Sequence, residues 1–317
     1  MRVLIVTNMW PTDERPALGG FVRDQVEALR RIDGLEVEIF RFIPTGGLRP
    51  YLTAARTLRR RHGKDRFDVI HAHYGMTAWC TLVLRGAPRV VTFHGTDLGH
   101  PRFGRLSRAV AKRMDLPATA SGWLARQRMA GLRGAGATRR VAVLPCGVNL
   151  ARFQRVDRGK ARRQLGLEPD GRYLLFPADP ARPEKRHDRA AELAAAAGAT
   201  LLTYDSTPPS DVPLMINAAN AVVVTSEREG FGLAALEALA CDVPVLSTDV
   251  GIAPLALSAV AGTLAAPFDV DAWLEVLRSH LEDADPRVDG RARAALFDSN
   301  RMATRVFEAY RALIQGS

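Results

Sequence analysis

The sequence predicts an α/β protein of two parallel-sheet domains, and three observations carry that prediction. Short apolar runs alternate with helix-patterned stretches along the chain. The alternation restarts after Leu144-Pro-Cys-Gly-Val148. The 317 residues, 47% of them hydrophobic, are enough for two cores of ordinary size. Alternating strands and helices of this length imply parallel sheets with right-handed crossovers.

In order, Arg2–Asn8 reads as a strand, and Phe21–Ile32 as a helix with Val22, Val26 and Leu29 at helical spacing. Glu36–Phe42 is a second strand, Leu52–Arg61 a basic helix, and Asp68–Ala72 a third strand. Thr77–Leu84 is a short buried helix and Arg89–Phe93 a fourth strand. Beyond a junction near residues 145–150, Tyr173–Phe176, Thr200–Tyr204, Ala221–Thr225 and Val243–Ser247 read as strands. Helices are expected at His187–Ala197, from about Leu233 to Ala240, at Val270–Leu281 and at Met302–Ile314. The expected architecture is two Rossmann-like domains, 1–148 and 149–317, facing across a cleft, with ligands beyond the carboxyl ends of the strands. The last helix, about 302–314, can return to pack on the N-terminal domain.

Charge divides unevenly. Residues 1–148 hold 25 Lys and Arg against 11 Asp and Glu, a charge of +14, whereas the remainder carries −4. The basic half is suited to anionic partners. No apolar run reaches the length of a bilayer span, and the N-terminus opens on a strand pattern, so a cytoplasmic protein is expected. Cys80, Cys146 and Cys241 lie far apart without C-x-x-C spacing, which argues for buried thiols over zinc ligands or disulfides. Asp269-Val-Asp271 and Asp283-Ala-Asp285 fall in a helical region and read as solvated carboxylates. Gly131…Gly134-Ala-Gly136 lacks the preceding strand that a dinucleotide fingerprint requires.

The most informative stretch is EREGFGLAALEAL, residues 227–239. It follows the apolar run Val222-Val-Val-Thr225 and leads into a helix. Glycines at 230 and 232 let the backbone approach a ligand and adopt conformations closed to other residues. The helix start then offers unpaired N–H groups and partial positive charge, which together make an anion site. A diphosphate would fit on the backbone N–H groups of Phe231, Gly232 and Leu233, with Gly230 also on the donor side. Glu237 lies one turn further on, about 6–8 Å along the axis, where a nucleotide ribose would sit. Glu229, before the turn, faces the other end of the diphosphate, where a sugar would sit.

With these residues in place, the sequence resembles the GT-B glycosyltransferases of family 4, retaining enzymes with an E-x7-E signature that Glu229 and Glu237 fit. The resemblance extends to CDVPVLSTDVG (241–251), LPCGVNLARF (144–153), VTFHGTD (91–97), DVIHAHYG (68–75) and the pair Gly19-Gly20, nearly the whole chain. It implies transfer of a sugar from a nucleotide-diphospho-sugar, bound by the C-terminal domain, to a hydroxyl acceptor on the N-terminal domain. Cell-envelope glycan or glycolipid synthesis is the setting it suggests. It implies no cofactor, no divalent metal and no nucleic-acid partner. Lys185, in PADPARPEKRHD (177–188), matches the family lysine that neutralises the donor diphosphate. The position of the family arginine is Pro180 here, and Arg182 or Arg186 is left to substitute. Catalytic roles are implied for Lys185, Glu229 and His94, the last near the reacting sugar. Gly19 and Gly20 open a helix where backbone can meet a phosphate. His71 and His73, at the end of the third strand, are acceptor-side candidates.

Between Leu201 and Val224 there is room for one strand and one short helix, where relatives carry two of each, so the domain is compact where the nucleobase would bind. Residues 49–66 carry seven basic side chains with Asp65 as the only acid, a weakly amphipathic stretch suited to an anionic membrane surface. Two other classes fit these features: another GT-B enzyme, such as a nucleotide-sugar epimerase or phosphorylase, and a non-catalytic nucleotide-sugar-binding protein.

Overall fold

A computed structural model describes residues 1–16, 18–129, 141–204 and 207–316. The glycine run from Gly131 to Gly136 lies outside the described residues. The chain divides into two compact units, the first of residues 1–147 joined by the chain from Ser299 onward, the second Val148–Asp298.

The first unit runs β1 (Arg2–Thr7), α1 (Gly20–Leu29), β2 (Glu36–Arg41), α2 (Arg49–His62), β3 (Val69–His73), α3 (Gly75–Thr81), β4 (Arg89–Phe93), α4 (Thr96–Gly99), α5 (Gly104–Ala111), β5 (Leu116–Thr119), α6 (Gly122–Met129) and β6 (Ala142–Val143). Its six strands are all parallel in the order β2-β1-β3-β4-β5-β6. Alternate residues of β1 serve opposite faces, as the two-residue period of a strand dictates. Val3 and Ile5 pack with Val26 and Leu29 of α1, whereas Leu4 and Val6 pack with Leu58 of α2 and Cys80 of α3.

The second unit runs α7 (Arg158–Leu165), β7 (Tyr173–Phe176), a 3-10 turn (Pro183–Lys185), α8 (His187–Ala196), β8 (Thr200–Thr203), α9 (Val212–Ala218), β9 (Ala221–Val224) and α10 (Leu233–Ala240). It continues through β10 (Val245–Ser247), α11 (Ala253–Leu257), β11 (Leu264–Ala265), α12 (Val270–Glu282) and α13 (Arg291–Ala295). Its parallel sheet has the order β11-β10-β9-β7-β8. Every residue of β9 is buried, which explains why that strand reads as a continuous apolar run.

Finally α14 (Ser299–Gln315) joins the first unit: Val306 and Tyr310 are fully buried against the core formed by α1 and β1. Full burial of a side chain of the size of Val306 stabilises by about 1.5–3 kcal/mol.

The elements with strong periodicity lie where the sequence places them. Those it left unassigned, α4 to α7, α11, α13, β5 and the two-residue strands β6 and β11, are short, and their apolar positions are too few to show a period. One expectation about side chains is corrected. Asp283 and Asp285 are not simply solvated: Asp285 pairs with Arg287 at 2.7 Å and Arg155 at 3.4 Å, beside the buried Arg158, whose guanidinium caps the carbonyls of Ala284 and Pro286. Asp269 caps the N-terminus of α12 by accepting from Ala272 N.

Candidate functional site

In the second unit, the site is built on the loop between β9 and α10. Gly232 caps α10 in the left-handed region, φ 86° and ψ 47°, a conformation that glycine adopts without steric cost. The backbone N–H groups of Phe231, Gly232 and Leu233 have no acceptor among the described residues. Three unpaired donors at a helix start are an anion cradle by geometry and by dipole. The turn is braced from behind. Ile252 N donates to Phe231 O at 2.7 Å, and Gly251, at φ 59°, passes so close that a Cβ there would lie 2.3 Å from Phe231 O. Phe231 itself is buried beside Phe297, so its side chain anchors the turn.

Lys185 reaches this turn from the loop after β7. Its Nζ donates to Glu229 Oε1 at 2.6 Å, and Ser226 Oγ donates to the same oxygen at 2.7 Å. Both members of the ion pair are only 12% exposed, so their geometry is constrained by packing. Two further hydrogen bonds hold the two loops together: the Thr225 Oγ1 hydroxyl donates to Arg186 O at 2.8 Å, and Glu227 N donates to Glu184 O at 3.0 Å. Neither arginine offered for the place of Pro180 is unengaged. Arg182 is held by Glu184 at 2.6 Å, and Arg186 by Asp188 and Glu227 at 2.6 and 2.7 Å. Glu237 lies on α10, 12% exposed, with Arg152 at 4.0 Å. Tyr204, at the end of β8, is pushed well above the ordinary tyrosine range by burial and secondarily by the charge of Glu237.

The first unit gathers a second set of groups at the carboxyl ends of β1, β3 and β4. Gly19, at φ 69°, precedes α1, and a Cβ on it would lie 2.4 Å from the Met9 backbone. Gly20 opens the helix, with free space around it. Phe21 follows, its ring 4.8 Å from that of His94. His73 Nδ1 lies 3.0 Å from His94 Nε2, and the two rings stack at 5.3 Å. Burial drives His73 down to about 3 and His94 well below the ordinary range, with mutual repulsion adding to the effect on His94, so both rings are neutral.

His71 departs from its expected acceptor-side place. It is fully buried, Nδ1 is 2.6 Å from Tyr310 Oη, and Nε2 is 2.8 Å from Thr92 Oγ1. Both ring nitrogens are therefore spent on fixing α14 and β4, and none is left for a ligand. His73 is 1% exposed, with Nδ1 against His94 Nε2 and its own Nε2 buried without a partner.

Several residues that the sequence reading passed over shape these sites. Asp97 accepts from the backbone N–H groups of Gly75, His94, Gly95 and Leu98 at 2.9–3.2 Å, fixing the turn that carries His94. Burial still pushes its carboxyl up to about 6. The signal was an acid three residues beyond a strand-ending histidine, where a side chain reaches back to the preceding N–H groups. Gly251 and Ser226 left weaker signals, because their partners are neighbours only once the sheet has formed. Among the described residues, one group, Glu38, His62 and Asp65, brings metal-capable atoms within 4.8 Å, but the Arg2 guanidinium already occupies Glu38 at 2.5 Å. No helix among the described residues is long and apolar enough to cross a membrane.

Comparison with known proteins agrees with this layout. Residues 1–152 match the family described as Glycosyltransferase Family 4, and residues 160–296 match Glycosyl transferases group 1. A D-inositol 3-phosphate glycosyltransferase of Actinosynnema mirum is 30% identical over a stretch covering 68% of this chain and 64% of that protein. One from Mycobacterium avium is 34% identical over 49% of this chain and 44% of its own length. The chain thus spans less than two thirds of these curated relatives. Among solved structures, sucrose-phosphate synthase from Thermosynechococcus elongatus superposes with a TM-score of 0.79 at 20% identity, covering all of both chains. HepE from Anabaena, in complex with UDP-glucose, superposes with a TM-score of 0.71 at 19% identity, over 98% of this chain and all of that one. Both likenesses are of fold.

Proposed function

Since the chain belongs to the GT-B glycosyltransferases of family 4, we propose that it moves a sugar, with retention of anomeric configuration, from a nucleotide-diphospho-sugar to a hydroxyl acceptor. The observation that carries this reading is the α10 start: three unpaired backbone N–H groups, with Lys185 and Glu229 on one side and Glu237 further along the helix. The diphosphate occupies the N–H cradle formed by Phe231, Gly232 and Leu233, with Gly230 in the turn beside it. Glu237 accepts from the ribose hydroxyls and Glu229 from those of the sugar. Lys185 exchanges part of its pairing with Glu229 for the departing diphosphate, so its charge counts most where negative charge develops. Positive charge from the helix start and Lys185 serves in place of a divalent metal. Arg182 contributes only after leaving Glu184. Gly19 and Gly20 offer backbone to the donor phosphates, and His94 acts at the reacting sugar, oriented by His73.

The test is incubation with UDP-, GDP-, ADP- and TDP-sugars and an acceptor panel, with the product followed by proton NMR. A glycoside that keeps the donor anomer, formed equally well in EDTA, is expected. Inversion at the anomeric carbon would refute retention, and activity restored only by manganese would refute metal independence. A sugar altered without any acceptor would point to an epimerase. Lys185→Ala should lower kcat as well as donor affinity, and a raised KM at unchanged kcat would restrict Lys185 to binding.

The acceptor side is the basic first unit, and an anionic membrane surface is a second partner that one feature favours. Leu48 and Leu52 are 49% and 57% exposed beside the arginines of α2. Each basic residue contributes about 1 kcal/mol near an anionic surface. Co-sedimentation with anionic vesicles should fall with salt and weaken in Arg59→Gln/Arg60→Gln/Arg61→Gln. Equal partitioning to neutral and anionic vesicles would remove the membrane from this reading.

A further inference from the structure

Asp97 is fully buried in α4, and its two oxygens serve two different turns. Oδ2 accepts from Gly75 N at 3.0 Å, at the start of α3. Oδ1 accepts from His94 N, Gly95 N and Leu98 N at 3.2, 2.9 and 3.0 Å. A carboxylate has about four lone-pair sites, and four N–H donors fill them here. The turn after β3 and the turn after β4 are thereby closed onto one side chain. The first of these turns is strained. Tyr74 sits at φ 87° and ψ 135°, a backbone that side-chain-bearing residues rarely adopt. Gly75 lies so close to α5 that a Cβ on it would be 2.5 Å from Ser107 Cβ. Such a conformation persists only where its surroundings over-determine it, and the bond to Asp97 is one of the restraints. The same two turns carry the stacked histidines: His73 directly precedes Tyr74, and His94 directly precedes Gly95.

We propose that the Asp97 carboxylate is a positioning residue for sugar transfer, a latch that sets the His73–His94 contact by locking the turn after β3 to the turn after β4. That transfer is the reaction rests on the glycosyltransferase reading, whereas the latch stands on its four hydrogen bonds. The latch depends on charge. Protonation turns one acceptor site of the carboxyl into a donor, so at least one of the four N–H groups loses its partner. Burial, offset only in part by those N–H groups, raises the carboxyl to about 6. The latch is therefore closed at neutral pH and opens below about 6. The charged and titratable groups around it come from three elements. At the start of α3 the Tyr74 phenol is pushed above its ordinary range, first by burial and then by the charge of Asp97. On α5 the Arg108 guanidinium is spent on Leu98 O at 3.2 Å. Beyond α4, His100 Nδ1 accepts from Arg102 N and Phe103 N. His73 and His94 stay neutral while Asp97 titrates, because burial holds both well below it.

The experiment is nitrogen NMR of the histidine rings in the full chain, followed from neutral pH to about 5. The His73 Nδ1 and His94 Nε2 signals should shift together with a midpoint at about 6, while both rings remain unprotonated. Asp97→Asn should show the low-pH signals throughout, with no midpoint. Asp115→Asn removes a carboxylate that accepts from Arg89 N at 2.9 Å, at the opposite end of β4, and should keep the midpoint of the parent. Ring signals that do not move in the parent, or a midpoint that survives in Asp97→Asn, would overturn the latch. Loss of the midpoint in Asp115→Asn would overturn it too, because the effect would then be a general loosening of the sheet edge. If Asp97→Asn does not fold, the titration of the parent decides alone. With a donor that supports transfer, Asp97→Asn should lower kcat about tenfold or more at an unchanged donor KM. Parent kcat should fall through the same midpoint. An unchanged kcat in Asp97→Asn would overturn the role in positioning. Absence of transfer with every donor would end the glycosyltransferase reading, and with it the role in transfer, while the NMR result still decides the latch.

Discussion

At the scale of residues, the buried histidines yield the sharpest consequences. His73 Nε2 is buried without a partner. An orphan acceptor costs less than an orphan N–H, so the His73 proton belongs on Nδ1, donating to His94 Nε2. His94 then carries its proton on Nδ1. Long-range proton–nitrogen NMR should report the Nδ1–H tautomer for His94 in the parent, and an Nε2–H tautomer would contradict the assignment. The same residues set a pH dependence. His71, His73 and His94 all titrate below 6.5 in the folded state, so the unfolded chain binds more protons and stability falls as pH drops below about 6.5. Asp97, raised to about 6, acts in the opposite sense, adding stability as pH falls from about 6 towards 4. Three histidines against one acid make the net effect a loss of stability as pH falls. Urea unfolding at several pH values between 7.5 and 4.5 checks this, and a flat profile would show that the rings are not held neutral. The histidines were visible in the sequence as strand-end residues. Their division of labour was not, because the partner that ties up His71 is Tyr310, more than two hundred residues away.

At the scale of elements, the loop–helix junction at α10 was the most legible part of the molecule. A buried strand, two glycines and a helix start are local features, and the helix occupies Leu233–Ala240 as its pattern predicts. What supports the junction is not local. Gly251 belongs to the next crossover and meets Phe231 only after β9 and β10 pair. Gly251→Ala combines a left-handed backbone with an overlap against Phe231 O, and it should cost about 2–4 kcal/mol while displacing the cradle. Denaturant unfolding and nucleotide titration should fall together, whereas full nucleotide affinity in this variant would mean that the brace is unimportant. The Lys185–Glu229 pair makes a further test. Removing one partner leaves the other charge largely desolvated, so the costs of Lys185→Ala and Glu229→Ala should sum to more than the cost of the double variant. A double-mutant cycle with zero coupling would show that the pair does not form in solution. The arginine loop was misjudged from sequence, since Glu184, Asp188 and Glu227, which occupy Arg182 and Arg186, read as ordinary surface acids.

At the scale of the whole molecule, duplication of the βαβ pattern was enough to predict two parallel-sheet units, because hydrophobic period and strand length survive in any sequence that folds this way. The returning helix α14 is a matter of long-range packing: its return to the N-terminal domain was expected, but its amphipathic pattern alone could not say which core residues it would meet. With Val306 and Tyr310 in the first core, truncation before Ser299 should expose that core and abolish cooperative unfolding of the first unit, which circular dichroism would record. In the second unit, the role proposed for the α10 start, flanked by Glu229 and Glu237, is to hold a nucleoside diphosphate. The most direct measurement is calorimetric titration of UDP, GDP, ADP and TDP into the parent and into Glu237→Ala. The account predicts one-to-one binding of at least one nucleotide, weakened by about 1.5–3 kcal/mol in the folded variant, as for loss of a hydrogen bond to a charged group. No binding by any of the four, or unchanged affinity in a folded Glu237→Ala, would contradict it.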